Sequence, residues 1–203
     1  MRLGFERAIL VGTVGALVTA GCGASSHPAA LRLPPDEQPI PAGRGAAYRP
    51  RAVSPAVARR APIQRLRCTL EHGRSYGVHL ELYADRLVVP VPSGIGIAPP
   101  QRRSGVYVLG GACAYPVRTF EPTGVVVVDA RPRVDLAALF AVWGQPLSRH
   151  ALASFHGPVL AFVEGRRWRG AIGSISLARH AEIVLEVRGA VPPHPRYRFP
   201  PGL

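Results

Sequence analysis

Polar and apolar residues alternate most clearly over residues 79–83, which read His-Leu-Glu-Leu-Tyr. Successive side chains of a strand point to opposite faces, so this period of two predicts a β-strand with one apolar face. Ala84 and Asp85 read as a tight turn, and residues 86–91 as the returning strand of a hairpin. Residues 93–100 form a Gly/Pro loop, and 106–109, 114–119 and 124–129 are further short strands. Residues 125–128 are all valine, the pattern of a strand buried on both faces. The period then changes. Leu136, Leu139, Phe140 and Trp143 stand at i, i+3, i+4 and i+7, one face of a helix. Asp135 is placed to cap its start and Gly144 to end it, with Pro146 just beyond. A second short helix is expected from Ser148, because Leu147 and Leu152 have the spacing of a hydrophobic staple, and Gly157-Pro158 ends it. Residues 159–163, a turn at Glu164-Gly165 and residues 167–170 make another hairpin, and 183–187 a last strand.

This order of hairpin, strands, helix, hairpin and closing strand predicts an α+β fold, a small mixed sheet with one main helix across it. A β-grasp-like arrangement fits best, with a small β-sandwich as the alternative. The globular domain is placed at residues 63–190, long enough for one core. Residues 22–62 are rich in Pro, Ala, Gly and Arg and show no periodicity, so they are read as a disordered tether that cannot offset its own ordering entropy. Residues 191–203 are read as an extended Pro-rich tail over the surface.

The opening residues follow a different logic. Arg2 and Arg7 form a short basic region, and residues 8–20 are free of charge. That stretch is too short for a bilayer, which needs about 20 residues, and fits the apolar region of a signal peptide, about 7–15 residues. Val18-Thr19-Ala20-Gly21-Cys22 resembles a bacterial lipobox, where a peptidase cuts before a cysteine that carries lipid. Thr19 departs from the usual Leu. On this reading residues 1–21 are a lipoprotein signal peptide, Cys22 is acylated, and the rest lies outside the cytoplasm, anchored to the cell membrane through its lipid. One acyl chain binds only marginally, so stable anchoring takes two or three. A plain secretory signal with an incidental cysteine is the alternative.

Composition narrows the chemistry. All 25 basic residues are Arg, with no Lys and no Asn, and the net charge is +13. That bias suggests a GC-rich genome, so part of the charge is mutational. It still attracts anionic phospholipid or polymer at low salt. The arginines are scattered, and nucleic acid is not expected as a partner. The missing Lys excludes a Walker-A loop, a Schiff-base lysine and a Ser-x-x-Lys centre, and no Gly-x-Ser-x-Gly elbow is present. Gly94-Ile95-Gly96 lacks the third glycine of a dinucleotide loop and is followed by Pro99-Pro100, so no cofactor is expected.

If Cys22 is acylated, Cys68 and Cys113 remain as a pair in an oxidising location, and a disulfide between them is expected; two free buried thiols are the alternative. His72, His79, His150, His156, His180 and His194 lack metal-ligand spacing, and no metal site is predicted from them. Arg118 and Glu121 flank the Cys113 strand and can line a pocket with His79, suited to an anionic or zwitterionic ligand; a surface ion pair is the plainer reading. Arg166, Arg167, Trp168 and Arg169 form the densest basic-aromatic spot. A hairpin tip presenting them can contact phosphate-bearing glycans or lipid head groups. The plainer reading is a solvated hairpin with Trp168 facing the core.

One further set of residues carries a resemblance. Residues 89–97 (Val-Pro-Val-Pro-Ser-Gly-Ile-Gly-Ile), Cys113-Ala114-Tyr115, Thr123-Gly124, residues 142–147 (Val-Trp-Gly-Gln-Pro-Leu) and residues 191–194 (Val-Pro-Pro-His) together resemble a family of bacterial lipoproteins and secreted proteins. The resemblance implies export and a shared fold, and no activity. Such relatives often carry closely spaced histidines before the first hairpin and a Leu-His-Thr-His-Asp run after the cysteine, clusters that suit a metal. Here only His79 stands in the first region. In the second, Arg118 and Phe120 take the places of the two histidines, so no metal role carries over. The function expected is a lipid-anchored, non-catalytic binding module of the cell envelope, with an envelope protein or anionic envelope polymer as partner. The alternatives are a degenerate or metal-dependent envelope enzyme and a structural envelope protein.

Overall fold

The alternating stretch is the centre of the fold. It forms β1 (Ser75–Ala84) in a computed structural model that describes residues 51–192 and 196–203. The expected signal peptide, Cys22, His194 and the expected tether up to residue 50 lie outside the described residues. After a turn at Asp85-Arg86, β2 (Leu87–Val88) returns antiparallel along the end of β1. On its other side β1 runs parallel to β12 (Glu182–Val187), with His79 opposite Glu182 and Tyr83 opposite Glu186. Antiparallel to β12 lies β10 (Val159–Val163), and β11 (Arg166–Arg167) is the edge. On the β2 side, β6 (Val125–Asp129) pairs with the first half of β1, and β5 (Val117–Arg118) pairs with β6.

The fold is therefore α+β, a mixed sheet with one main helix. A first hairpin, a helix and a second hairpin, with the first and last long strands parallel at the centre, is the β-grasp-like order expected. Two strands are shorter than their apolar runs. Pro90 and Pro92 lack the N–H groups a ladder needs and stop β2, and Pro116 does the same ahead of β5. β3 (Arg102–Ser104) and β4 (Tyr107–Gly110) make a separate ribbon.

The main helix, α2 (Leu136–Trp143), has the predicted ends. The Asp135 carboxylate accepts from Ala138 N at 2.9 Å, and Gly144 takes φ 72°. Leu136, Leu139, Phe140 and Trp143 are buried, in one cluster with Leu80, Leu82, Val126, Val128, Ile183 and Leu185 from one face of the sheet.

The second helix expected at Ser148 does not form. Residues 147–156 fold instead into β7 (Leu147–Ser148), β8 (Ala151–Leu152) and β9 (Phe155–His156). Leu147 and Leu152 meet as cross-strand partners, a relation that their spacing fits as well as a staple. The Ser148 hydroxyl accepts from His150 N at 3.1 Å and closes the turn.

The domain also starts earlier than residue 63. Ser54 caps α1 (Pro55–Ala58), and Val57 is fully buried. This segment covers the back of α2. Ser54 Oγ donates to Val142 O at 3.0 Å, the Trp143 indole N–H to Arg51 O at 3.1 Å, and the Tyr115 hydroxyl to Ala61 O at 2.5 Å. Because α2 is apolar nearly all round, its second side needs a cover. A single capped turn supplies one without any periodicity of its own. Cys68 and Cys113 form the expected disulfide, with Cα atoms 5.5 Å apart. Among the described residues, no helix is long and apolar enough to cross a membrane.

Candidate functional site

The second face of the sheet is polar and closed. Because β1 alternates, His79, Glu81 and Tyr83 point away from the helix, and Glu182 and Glu186 do the same on β12. Alternation of this kind usually marks a face open to water. Here His79, Glu81, Glu182 and Glu186 are all no more than 4% exposed. Tyr197 and Phe199 of the tail pack on this face. The Tyr197 ring stacks on His79 with centroids 3.7 Å apart and 10° between planes. Phe199 lies over Gly77, where a Cβ would come within 2.5 Å of its ring, and stacks on His180 at 4.8 Å.

His79 is held from both sides. Its Nδ1 lies 2.9 Å from each carboxylate oxygen of Glu182 and 3.8 Å from Glu81 Oε1. Its Nε2 lies 3.0 Å from Thr123 O. That carbonyl can approach because Gly124 follows it: a Cβ there would stand 2.5 Å from Leu80 O and 3.1 Å from His79 Nε2. The Tyr83 hydroxyl donates to Glu81 Oε2 at 3.0 Å. Burial first, and then the Glu81 charge, push the Tyr83 hydroxyl pKa well above its ordinary value. Burial, with the Glu121 charge second, raises that of Tyr197. Glu186 Oε1 accepts from Val191 N at 3.1 Å, while its Oε2 is buried with no hydrogen-bond partner. Burial raises the Glu186 carboxyl, and the Val191 N–H opposes that rise.

The trio His79, Arg118 and Glu121 does not come together as one pocket. Glu121 stands near His79 through Thr123, whose hydroxyl it accepts at 3.0 Å. Arg118 belongs to a different group. Its Nη1 donates to Asp129 Oδ1 at 2.8 Å and to Tyr115 O at 3.2 Å, and His72 Nδ1 lies 2.8 Å from Asp129 Oδ2. Arg118 and Asp129 are buried, so this is an interior pair joining β5 to β6 and not the surface pair of the plainer reading.

The basic hairpin is exposed. Arg166, Arg167 and Arg169 lie on the surface, and Trp168 is 37% exposed. The indole N–H of Trp168 donates to Ala171 O at 3.0 Å, which fixes the ring at the surface and not toward the core. Two hollows share Arg167 and Trp168. One, of about 560 Å³, is bounded by Arg166 and by Arg196 from the tail. The other, of about 640 Å³, is bounded by Arg149, His150 and Arg169. None of these five arginines is in a salt bridge among the described residues.

Glu81, Glu182, Glu186, Thr123 and Tyr197 escaped the sequence reading. Glu81 shares a face with His79 through the same alternation that predicts the strand, which was signal enough. Glu182 and Glu186 needed the parallel pairing of β1 with β12, and Tyr197 needed the course of the tail; neither is periodic. Compared with protein-family models, with curated proteins and with solved structures, the chain matches none of them.

Proposed function

We propose that this protein is a lipid-anchored, non-catalytic binding module of the bacterial cell envelope. It is held outside the cytoplasm through acylated Cys22, and it binds anionic envelope polymer at the Arg166–Trp168–Arg169 hairpin. The observation that carries the reading is the group of exposed guanidiniums around a partly exposed indole, set in two hollows of which one also holds Glu164, with none of them in a salt bridge among the described residues. Guanidinium groups bind phosphate and carboxylate oxygens in pairs, and an indole face packs against a sugar ring or an Arg. The Cys68–Cys113 disulfide suits an oxidising compartment and supports the location.

The experiment compares two triple variants of the full chain, each losing three charges. One replaces Arg166, Arg167 and Arg169 with Ala, the other Arg44, Arg49 and Arg51. Binding to purified anionic wall polymer is measured as salt is raised. Non-specific attraction fades with screening over a Debye length of about 8 Å at physiological salt. A loss confined to the hairpin variant at that salt supports the reading. Equal losses by both variants would reduce the charge to unspecific attraction and remove the binding site from the proposal.

A further inference from the structure

We propose that His79, Glu81 and Glu182 form a binding site for one divalent transition-metal ion, best matched by zinc, beneath the Tyr197 ring. The three side chains can each offer a ligand atom within 4.8 Å of the others, and all three residues are buried. Two come from one strand at i and i+2, and the third is the direct partner of the first on the neighbouring parallel strand. A rigid sheet therefore sets their spacing, and no loop has to close to assemble them. The donor set is one imidazole nitrogen with carboxylate oxygens. The only cysteine thiols among the described residues are tied in the disulfide. Imidazole with carboxylate suits zinc and its first-row neighbours better than magnesium or calcium. The charges of two carboxylates match those of a divalent ion.

The groups around these donors are oriented as a metal site needs. Thr123 O is placed to accept the Nε2 proton of His79, which leaves the Nδ1 lone pair facing the carboxylates. Tyr83 donates to Oε2 of Glu81 and leaves Oε1 on the His79 side. Such outer partners fix the tautomer of a ligating histidine and the direction of a ligating carboxylate. One further buried polar atom on this face lacks a hydrogen-bond partner among the described residues. It is Glu186 Oε2, on the same face of β12, four residues from Glu182 and opposite Tyr83.

The residues of this site line neither basic hollow, so its failure would leave the polymer reading standing. The test uses the full chain, stripped with a chelator and titrated with Zn²⁺ against a chromogenic competitor. One ion per chain is expected, together with a visible Co²⁺ spectrum of low-coordinate form when cobalt replaces zinc. His79→Gln and Glu182→Gln should each weaken Zn²⁺ binding by at least about 100-fold, since loss of an outer partner alone costs about 10–100-fold. Tyr83→Phe removes only a hydroxyl, keeps the ring in place, and should weaken binding about 10-fold. This variant keeps the test decisive if the charged substitutions unfold the chain. His156→Gln, at an exposed histidine outside both hollows, should leave Zn²⁺ binding unchanged. Absence of stoichiometric binding would overturn the proposal. So would binding that survives unchanged in folded Glu182→Gln and in Tyr83→Phe.

Discussion

Val57→Ala decides where the folded domain begins. In a disordered tether this change would be silent, within about 0.5 kcal/mol, as for most surface substitutions. In the structure Val57 is fully buried in the core cluster. The substitution deletes two carbon groups, each contributing about 0.8 kcal/mol by burial. The segment around it is tied to α2 by the Ser54 and Trp143 hydrogen bonds, so the space does not close freely and a cavity cost adds to the transfer term. The expected destabilisation is about 2–3 kcal/mol. Urea unfolding of the full chain, followed by Trp fluorescence, measures it well, because Trp143 donates to Arg51 O in the same segment. The midpoint should fall with the slope unchanged. Arg59→Ala, exposed two residues on, should leave the midpoint in place. A Val57→Ala midpoint equal to that of Arg59→Ala would refute the packing argument and return residues 51–62 to the tether.

Three other outcomes follow from the same structure. Replacing Cys68 and Cys113 together with Ser opens a bridge spanning 45 residues and should cost about 4 kcal/mol on the chain-entropy account, read as a lowered urea midpoint against the oxidised parent; a loss under about 1 kcal/mol would contradict that account. Cys22→Ala should abolish retention of the protein in the membrane fraction, and full retention would end the anchoring proposal. Glu186→Gln tests the buried carboxyl. Burial raises its folded pKa above the ordinary 4.5, so the folded chain keeps a proton that the unfolded chain releases. Its contribution to stability is then fully present below the unfolded pKa and is lost as pH rises through the folded one. The Gln variant keeps the acceptor for Val191 N and should lose that slope, seen in unfolding midpoints measured from pH 4.5 upward with chelator present. Parallel slopes for variant and parent would contradict the assignment.

What the sequence revealed about the fold was whatever repeats. The alternation at residues 79–83, the helical face from Leu136 to Trp143 and the valines of β6 each carry their own period, and each is where it was expected. The failures are local arrangements with two physical solutions. Leu147 and Leu152 satisfy a staple or a cross-strand pair, and turn chemistry at Ser148 chose the pair. Val57 has only Val53 in phase one turn back, too short a run to mark an element, and its burial follows from the cover that this segment gives α2. The candidate sites divide the same way. The basic hairpin is contiguous in sequence and was legible, although the side of the sheet to which Trp168 turns was not. His79 was legible as a singular histidine. Its partners were hidden because Glu182 stands 103 residues away and the lid over them is a Pro-rich tail.

The parallel pairing of the first long strand with the last has a consequence for the life of the chain. A ribosome or a translocation channel delivers β1 first, and its central neighbour comes about a hundred residues later. Local contacts cannot complete this sheet, and parallel pairing across such a distance forms slowly. During that delay the His79 side of β1 lacks both its glutamate from β12 and its cover from the tail. A chain cut short anywhere before residue 182 cannot make the His79–Glu182 contact. The buried polar layer thus closes only once β12 and Tyr197 are in place, and a chain lacking them leaves His79 open to solvent and proteolysis.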